Sequence, residues 1–176
     1  MAKIKSTLDL VMERTKNLNM TDADKEKLRT KEGTDKVRAW IQRYIDGKID
    51  SDEMRNSLNA TMKTVPETRD ILKRELVRHI RPGDDNSAIM NALERIFDIN
   101  AGPIEELIVS SQTQLRTTKQ HHLAQLISDL KQVGIYGTSV VPNIDTSRQW
   151  QESVQQATED LAREIIRFID TGTSSL

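Results

Sequence analysis

The sequence predicts an all-α protein of about seven helices, and three observations lead to that prediction. Apolar residues recur at the spacing of one buried helix face along almost the whole chain. Helix caps, glycines and prolines separate these stretches. The apolar residues are mostly Leu, Ile, Val, Met and Ala, since aromatics are only 3% of the chain. Because helix caps and apolar residues at helical spacing cover almost the whole chain, we predict no β-sheet.

The first two predicted helices begin at capping boxes, in which a side-chain oxygen accepts a backbone N–H and an acid three residues later returns the contact. Ser6 with Asp9 begins the first helix, and Thr21 with Asp24 begins the second. The second is expected to end at Gly47, because glycine favours the conformation that follows a helix. Gly33 lies inside this helix, so a break at that position stays open.

The third and fourth predicted helices also have recognisable starts. Asp50 with Glu53 forms another capping box, and the helix after it reaches Met62. Pro66 is expected in the first turn of the fourth helix, where its missing N–H is no loss. The segment RPGDDN at residues 81–86 is the clearest break in the chain.

Net charge changes sign at this break. Residues 1–81 contain 19 Lys and Arg against 14 Asp and Glu, whereas residues 82–176 contain 7 against 13. We therefore predict a basic N-terminal helical subdomain at residues 1–81 and an acidic long-helix subdomain at residues 87–170. Residues 171–176 are predicted to be a frayed tail.

The acidic half is predicted to contain three helices. The fifth helix begins near Ser87 and is expected to stop at Gly102. The sixth runs from Pro103 to a cap at Gly134, about 45 Å at 1.5 Å per residue. Residues 135–145 are predicted to be an extended connection, and the seventh helix covers about residues 147–169.

The two long C-terminal helices share an eleven-residue apolar repeat, which predicts a nearly straight stripe and long antiparallel packing. That packing joins the two helices to each other or joins two copies across a dimer axis. A chain with 36% hydrophobic residues is lean for a compact globule, which favours an elongated shape or an oligomer. The predicted interface residues are Leu126, Leu130, Trp150, Leu161, Ile165 and Phe168.

A polar run at residues 110–122, SSQTQLRTTKQHH, interrupts the stripe of the sixth helix. Three alternatives remain open: an exposed helix that bridges two packed ends, a hydrogen-bonded layer in an interface, or a break into loop. A polar layer would fix register at some cost in stability. His121 and His122 end this run, and we interpret them as a surface or interface pair, because neither has a second metal ligand one turn later.

A basic stripe on the fourth helix is the best candidate for binding phosphate or nucleic acid. Arg74, Arg78 and Arg81 lie about one turn apart. Acidic residues interleave with them, however, and no stacking aromatics or helix-turn-helix spacing accompany them. A solvated helix face therefore explains the pattern better, and we do not expect a nucleic acid as the main partner.

Several functional classes have no support in the sequence. The chain has no cysteine, which excludes thiol catalysis and disulfides and fits a reducing compartment. No nucleophile motif, phosphate loop or cofactor motif occurs, so neither an enzyme nor a cofactor is expected. No signal peptide or membrane-spanning run is visible, which makes a cytoplasmic protein the default.

Residues 3–18, KIKSTLDLVMERTKNL, resemble the start of small bacterial helical proteins that are grouped as a domain of unknown function. The resemblance covers the first predicted helix. It implies a bacterial, cytoplasmic origin and carries no active-site residues.

The function that we expect is therefore a non-enzymatic, helical interaction or scaffold protein. It is expected to assemble as a homodimer through its C-terminal helices, with any other protein partner left open. The alternative is a nucleic-acid or phosphate-binding regulator that acts through Arg74, Arg78 and Arg81.

Overall fold

The computed structural model describes residues 21–137 and 139–172, and these form six α-helices and one 3-10 turn, with no β-strand. The helices are α1 (Asp22–Ile45), α2 (Ser51–Met62), α3 (Thr68–Arg78), α4 (Ser87–Phe97), α5 (Ala101–Gln132) and α6 (Arg148–Gly172), and the 3-10 turn is Ile144–Thr146. The all-α prediction is confirmed. The predicted first helix and residues 173–176 of the predicted tail lie outside the described residues.

Helix α1 begins at the expected capping box. The Thr21 hydroxyl oxygen accepts a hydrogen bond from the backbone N–H of Asp24 at 3.2 Å, and the Asp24 carboxylate accepts one from the Thr21 backbone N–H at 3.2 Å. The helix continues through Gly33, so a break at that position is wrong. Gly33 is buried, and a methyl group on its Cα would lie 3.6 Å from Val65. The absence of a side chain lets α1 approach the chain before α3 closely.

The ends of α1 and α2 agree with the local sequence, whereas α3 begins later than expected. Gly47 has φ +68°, which suits the turn after α1, and Asp50 caps α2 by accepting from the Glu53 N–H at 2.8 Å. Pro66 lies in the turn before α3, not in its first turn. The helix begins at Thr68, whose hydroxyl donates to the Val65 carbonyl at 2.6 Å.

The end of α4 is a correction to the sequence prediction. The helix stops at Phe97, because Asp98 adopts a left-handed conformation at φ +58° and ends the helical hydrogen bonding. Gly102, the predicted stop, lies instead in the first turn of α5. There its N–H donates to the side chain of Asn100, the N-cap, at 3.0 Å.

One hydrophobic cluster forms the core of the described residues. It contains the inward faces of α1 to α4, the first turn of α5 and the last turns of α6, with members such as Leu72, Leu93, Ile104 and Ile165. Residues from both sides of the break at 81–86 therefore share one core. The proposed subdomain boundaries stay a prediction, but the two stretches pack together.

The break itself is a tight turn. The Asn86 side chain is buried and donates to the backbone carbonyls of Arg81 at 2.9 Å and Asp84 at 3.0 Å, while its oxygen accepts from the Arg81 N–H at 3.0 Å. A methyl group on Gly83 would lie 3.9 Å from the Gln112 side chain. This turn therefore lies against α5 near the point where α5 leaves the core.

Beyond the core, α5 and α6 continue as an antiparallel pair, which we call the arm and define as residues 109–160. Within the described residues, α5 contacts only α4, α6 and the 3-10 turn. At 1.5 Å per residue, the α5 part of the arm is about 36 Å long. The polar run at residues 110–122 is helical throughout, so the loop alternative is wrong.

Candidate functional site

A groove runs along α6 from Asp145 to Ala162, and Arg78 and Arg81, at and just beyond the end of α3, also line it. It has a volume of about 710 Å³, and we call it the basal groove. Trp150, Val154 and Ala162 give it an apolar floor, because these residues follow one another along α6 at helical spacing. Arg78 and Arg81 line it at the core end, and Asp145 lines it from the connection before α6.

The two guanidinium groups of the groove have different surroundings. Arg78 pairs with the buried carboxylate of Glu75 at 2.6 Å, and Glu75 also accepts from Arg38 Nε at 3.1 Å. Arg81 instead donates to the backbone carbonyl oxygens of Arg78 at 2.5 Å and Ile80 at 3.1 Å. Among the described residues Arg81 forms no salt bridge, although Asp145 and Glu159 line the same groove.

Glu75 is held in its charged form. Burial of the carboxyl opposes ionisation, but the hydrogen bonds and positive charges of Arg38 and Arg78 outweigh it, so the pKa of Glu75 lies below its usual value. The same contacts raise the pKa of Arg38, first through the hydrogen bond to Glu75. This three-residue network links α1 to α3 beside the groove.

The predicted basic stripe is only partly brought together. Arg81 does not lie on the predicted helix, because α3 ends at Arg78. Arg78 and Arg81 both line the basal groove, whereas Arg74 lies beside Ile166 and Ile169 near the end of α6. The stripe therefore faces two different parts of α6. This arrangement weakens the case for a continuous phosphate-binding face.

A second groove, which we call the seam, runs between the two arm helices and has a volume of about 640 Å³. Its α5 side carries Ser111, Thr118 and His122, and its α6 side carries Ser153, Gln156 and Asp160. The polar run is therefore neither wholly exposed nor closely packed, because half-buried hydroxyl and imidazole groups face α6 across an open groove. Gln156 and then Arg163 stabilise the charged form of Asp160 and lower its pKa.

Trp150 is the centre of the contacts between the arm helices. Its ring meets the His122 ring edge-on at 6.2 Å, and the Lys119 ammonium lies 5.6 Å from its centroid. His122 Nε2 also lies 3.2 Å from the hydroxyl of Ser153. Since that hydroxyl donates to the carbonyl of Gln149 at 2.9 Å, His122 is the donor in the His122–Ser153 bond.

A serine beside a histidine is also the minimal unit of nucleophilic catalysis, so its surroundings matter. Ser153 lies inside α6, where backbone N–H groups are already bonded within the helix and are not free to stabilise an oxyanion. Its proton points to a carbonyl and not to the imidazole. These contacts favour a structural role, in which the pair fixes the register of α5 on α6.

The residues predicted to form an interface occupy two environments. Leu161 and Ile165 are 2% and 0% exposed and pack in the core of their own chain, and Trp150 is buried between the arm helices. Leu126, Leu130 and Phe168 are half-buried. Contact with a second molecule would therefore have to use positions other than Leu161 and Ile165, because those side chains already have intramolecular partners.

The end of the arm carries several exposed apolar side chains that the sequence reasoning missed. We call it the arm tip and define it as Val133, Ile135, Tyr136 and Val141. Tyr136 is 77% exposed and Val141 86%. Five of the eight large apolar side chains that are exposed in the described residues lie between positions 127 and 141. The available signal was a connection rich in apolar residues, which we interpreted only as extended chain.

Neither a metal centre nor a membrane span emerges from the described part of the chain. No three His, Asp or Glu side chains there come together as metal ligands, and none of its helices combines the length and apolarity that crossing a bilayer needs. The cytoplasmic location stays a prediction.

The comparisons with known proteins found no similarity. No protein-family model matches the chain, and neither a curated protein nor a solved structure matches it.

Proposed function

We propose that this chain is a non-enzymatic helical assembly protein, in which the arm extends from the core and pairs with the arm of a second copy. The proposal includes an elongated molecule. The observation that carries it is the concentration of exposed apolar side chains at the arm tip. Large exposed apolar groups that lie close together are typical of interaction surfaces, whereas isolated ones are ordinary.

The internal packing of the arm supports the same proposal. Many of the side chains that line the seam between the arm helices are polar, and contacts of this kind stabilise a helix pair less than apolar packing does. Two helical hairpins that pack together form a four-helix bundle, which buries both apolar faces.

The charge distribution of the arm also fits a second copy. The α5 part of the arm is about 36 Å long and the α6 part about 20 Å, so at a helix width of roughly 10 Å the two offer on the order of 560 Å² per chain, about two-thirds of the 800 Å² or so of a stable interface. Residues 109–132 carry three basic residues and one acid, whereas residues 148–160 carry one basic residue and three acids. Helix α5 of one copy is therefore complementary in charge to α6 of another.

The phosphate-binding alternative has less support. Arg78 is paired with Glu75, and Arg74 lies apart from the basal groove. A phosphate would have to compete with an existing carboxylate for Arg78. We therefore do not prefer it.

Light scattering during size-exclusion chromatography tests the proposal. At micromolar concentration we expect a mass near twice the 20.1 kDa of one chain. The double variant Val133→Asp/Val141→Asp should run as a monomer, because burying two carboxylates in an apolar contact is unfavourable. Leu28→Asp is the matched control, since Leu28 is an exposed apolar residue outside the arm.

A wild-type mass of one chain across that concentration range would overturn the proposal. Dimers in the tip variant would contradict the role of the arm tip, and monomers in the Leu28→Asp control would show that the effect is not specific to the arm.

A further inference from the structure

We infer that two copies pair by exchanging α6, so that the α6 helix of each chain packs against α5 and the core of the other. This inference rests on the proposed function and specifies how the second copy is joined. An exchange of this kind reuses contacts that one chain already makes within itself. The partner is therefore a second copy of this chain, because that copy carries an identical α6.

The packing of the arm lowers the cost of separating its helices. Among the described residues between positions 109 and 160, only Ile144 and Trp150 are buried. Many side chains along the seam are polar, and they can bond to water when the helices part. Segments with few buried apolar contacts open more readily than a core. The arm is therefore where α6 begins to detach.

The connection between α5 and α6 gains a contact from the exchange. It carries the exposed apolar side chains of the arm tip, and no charged residue occurs at positions 132–144. When two chains exchange a helix, their connections run beside each other and form a contact that a single chain lacks. An uncharged, apolar segment can pack against its own copy without repulsion between like charges. Exchange therefore gives the side chains of the arm tip a partner.

The backbone of this connection suits both a closed and an opened chain. Gly134 and Gly137 have φ of +82° and +142°, which glycine adopts readily and which let the chain turn back toward α6. Pro142 disfavours a helical conformation at Val141. An opened connection therefore stays extended and does not join α5 and α6 into one long helix.

The connection is also long enough for the exchange. The contact between His122 and Ser153 places the beginning of α6 about 15 Å before the end of α5. In an exchanged dimer, the chain runs from the end of its own α5 to that level on the arm of the partner. Residues 133–147 span up to about 50 Å when extended, which exceeds this path.

The far end of α6 makes the exchange slow. Leu161, Ile165 and Ile169 are buried in the core, so α6 leaves its own chain only when these side chains leave the core. An exchanged dimer is therefore expected to persist after dilution, because its dissociation requires partial unfolding.

The chain has no cysteine, which allows a test by cross-linking. His122→Cys and Ser153→Cys are prepared separately, mixed in urea, refolded together at high concentration and treated with a short bis-maleimide. The two positions face each other across the seam of one chain, so they join two different chains only after α6 is exchanged. We expect mass spectrometry to show residues 122 and 153 as the main intermolecular pair.

The outcomes separate this inference from the proposed function. The matched control mixes Ser153→Cys with Asn59→Cys, an exposed position on α2. A dimer whose 122–153 cross-link does not exceed this control would overturn the exchange and leave self-association intact. A wild-type chain that is monomeric at micromolar concentration would overturn both.

A second measurement uses the wild-type chain and introduces no thiol. Its dimer is isolated by size-exclusion chromatography, diluted far below micromolar concentration and analysed again after a day. We expect it to keep its mass until urea unfolds it, and refolding of the dilute chain should then give monomers. A dimer that reverts to monomers within minutes of dilution would contradict the exchange while leaving the proposed pairing of copies in place.

Discussion

Glu75 is the residue with the most demanding surroundings in the described chain. Glu75 is 6% exposed, and its carboxylate accepts hydrogen bonds from Arg38 and Arg78, whose own side chains remain largely exposed. Because the two arginines reach solvent, the pair energies are smaller than for a fully buried ion pair. The network nevertheless fixes α1 against α3.

The depressed pKa of Glu75 predicts a specific loss of stability in acid. A carboxyl whose pKa is lower in the folded chain stabilises it above the unfolded value, and that contribution disappears as pH falls through the folded value. Glu75→Gln should therefore lower the free energy of unfolding by about 1–2 kcal/mol at pH 7. The difference from wild type should shrink below the ordinary pKa of 4.5.

Urea denaturation between neutral and acidic pH measures this difference. Glu94→Gln is the control, because Glu94 is exposed. A wild-type advantage that stays constant down to the acid limit would show that ionisation of Glu75 is not the cause.

Single residues also show where sequence reasoning ends. The caps at Thr21 and Asp50 were predictable because both partners of each capping box lie within four residues. The stop at Asp98 was not, since aspartate is uncommon at positive φ and a glycine four residues later was the stronger signal. Helix caps whose partners are close in sequence can be predicted from the sequence. Which of two nearby residues ends a helix depends on tertiary packing.

At the scale of one element, two glycines of α1 and its C-terminal turn have different roles. Gly33 packs against the segment before α3, and Gly47 lies in the turn after the helix. Gly33→Ala should stabilise the chain by about 0.5–1 kcal/mol, because the new methyl group meets Val65 and Ile71 at ordinary contact distances and helical backbone entropy improves. Gly47→Ala should destabilise it by roughly 1 kcal/mol, because φ is +68° there.

Both variants are measured by chemical denaturation on the same background, so each serves as the control of the other. A loss of stability in Gly33→Ala would show that α1 and the segment before α3 cannot accept even a methyl group.

The grooves belong to this scale too, and only part of them was predictable. Arg81 lies three residues after Arg78, beyond the end of α3, so their proximity follows from their closeness in the sequence. That α6 would supply Val154 and Ala162 opposite them depends on how two distant helices cross. The seam shows the same limit: its polar residues were visible, but their partners on α6 were not.

At the scale of the whole molecule, the two tryptophans report on different parts of the fold. Trp40 is half-buried against the core, and Trp150 is buried within the arm. Trp40→Phe leaves only the arm reporter, and Trp150→Phe leaves only the core reporter. If the arm pairs with a second copy, mass action stabilises it more at higher protein concentration.

We therefore expect the urea midpoint reported by Trp150 to rise with protein concentration, while the midpoint reported by Trp40 changes less. Fluorescence titrations at several concentrations provide the measurement, and equal far-ultraviolet circular dichroism spectra check that each variant keeps its helices. Two superimposable midpoints without concentration dependence would contradict separate roles for core and arm.

The turn held by Asn86 has a consequence for the chemical lifetime of the protein. Asparagine followed by serine is prone to lose ammonia when the next backbone nitrogen attacks its amide. Here three hydrogen bonds hold that amide away from such an attack, and the Ser87 nitrogen is occupied by the Asp85 carboxylate at 2.9 Å. These hydrogen bonds, in the turn that connects the basic and acidic halves of the chain, should therefore slow deamidation of Asn86.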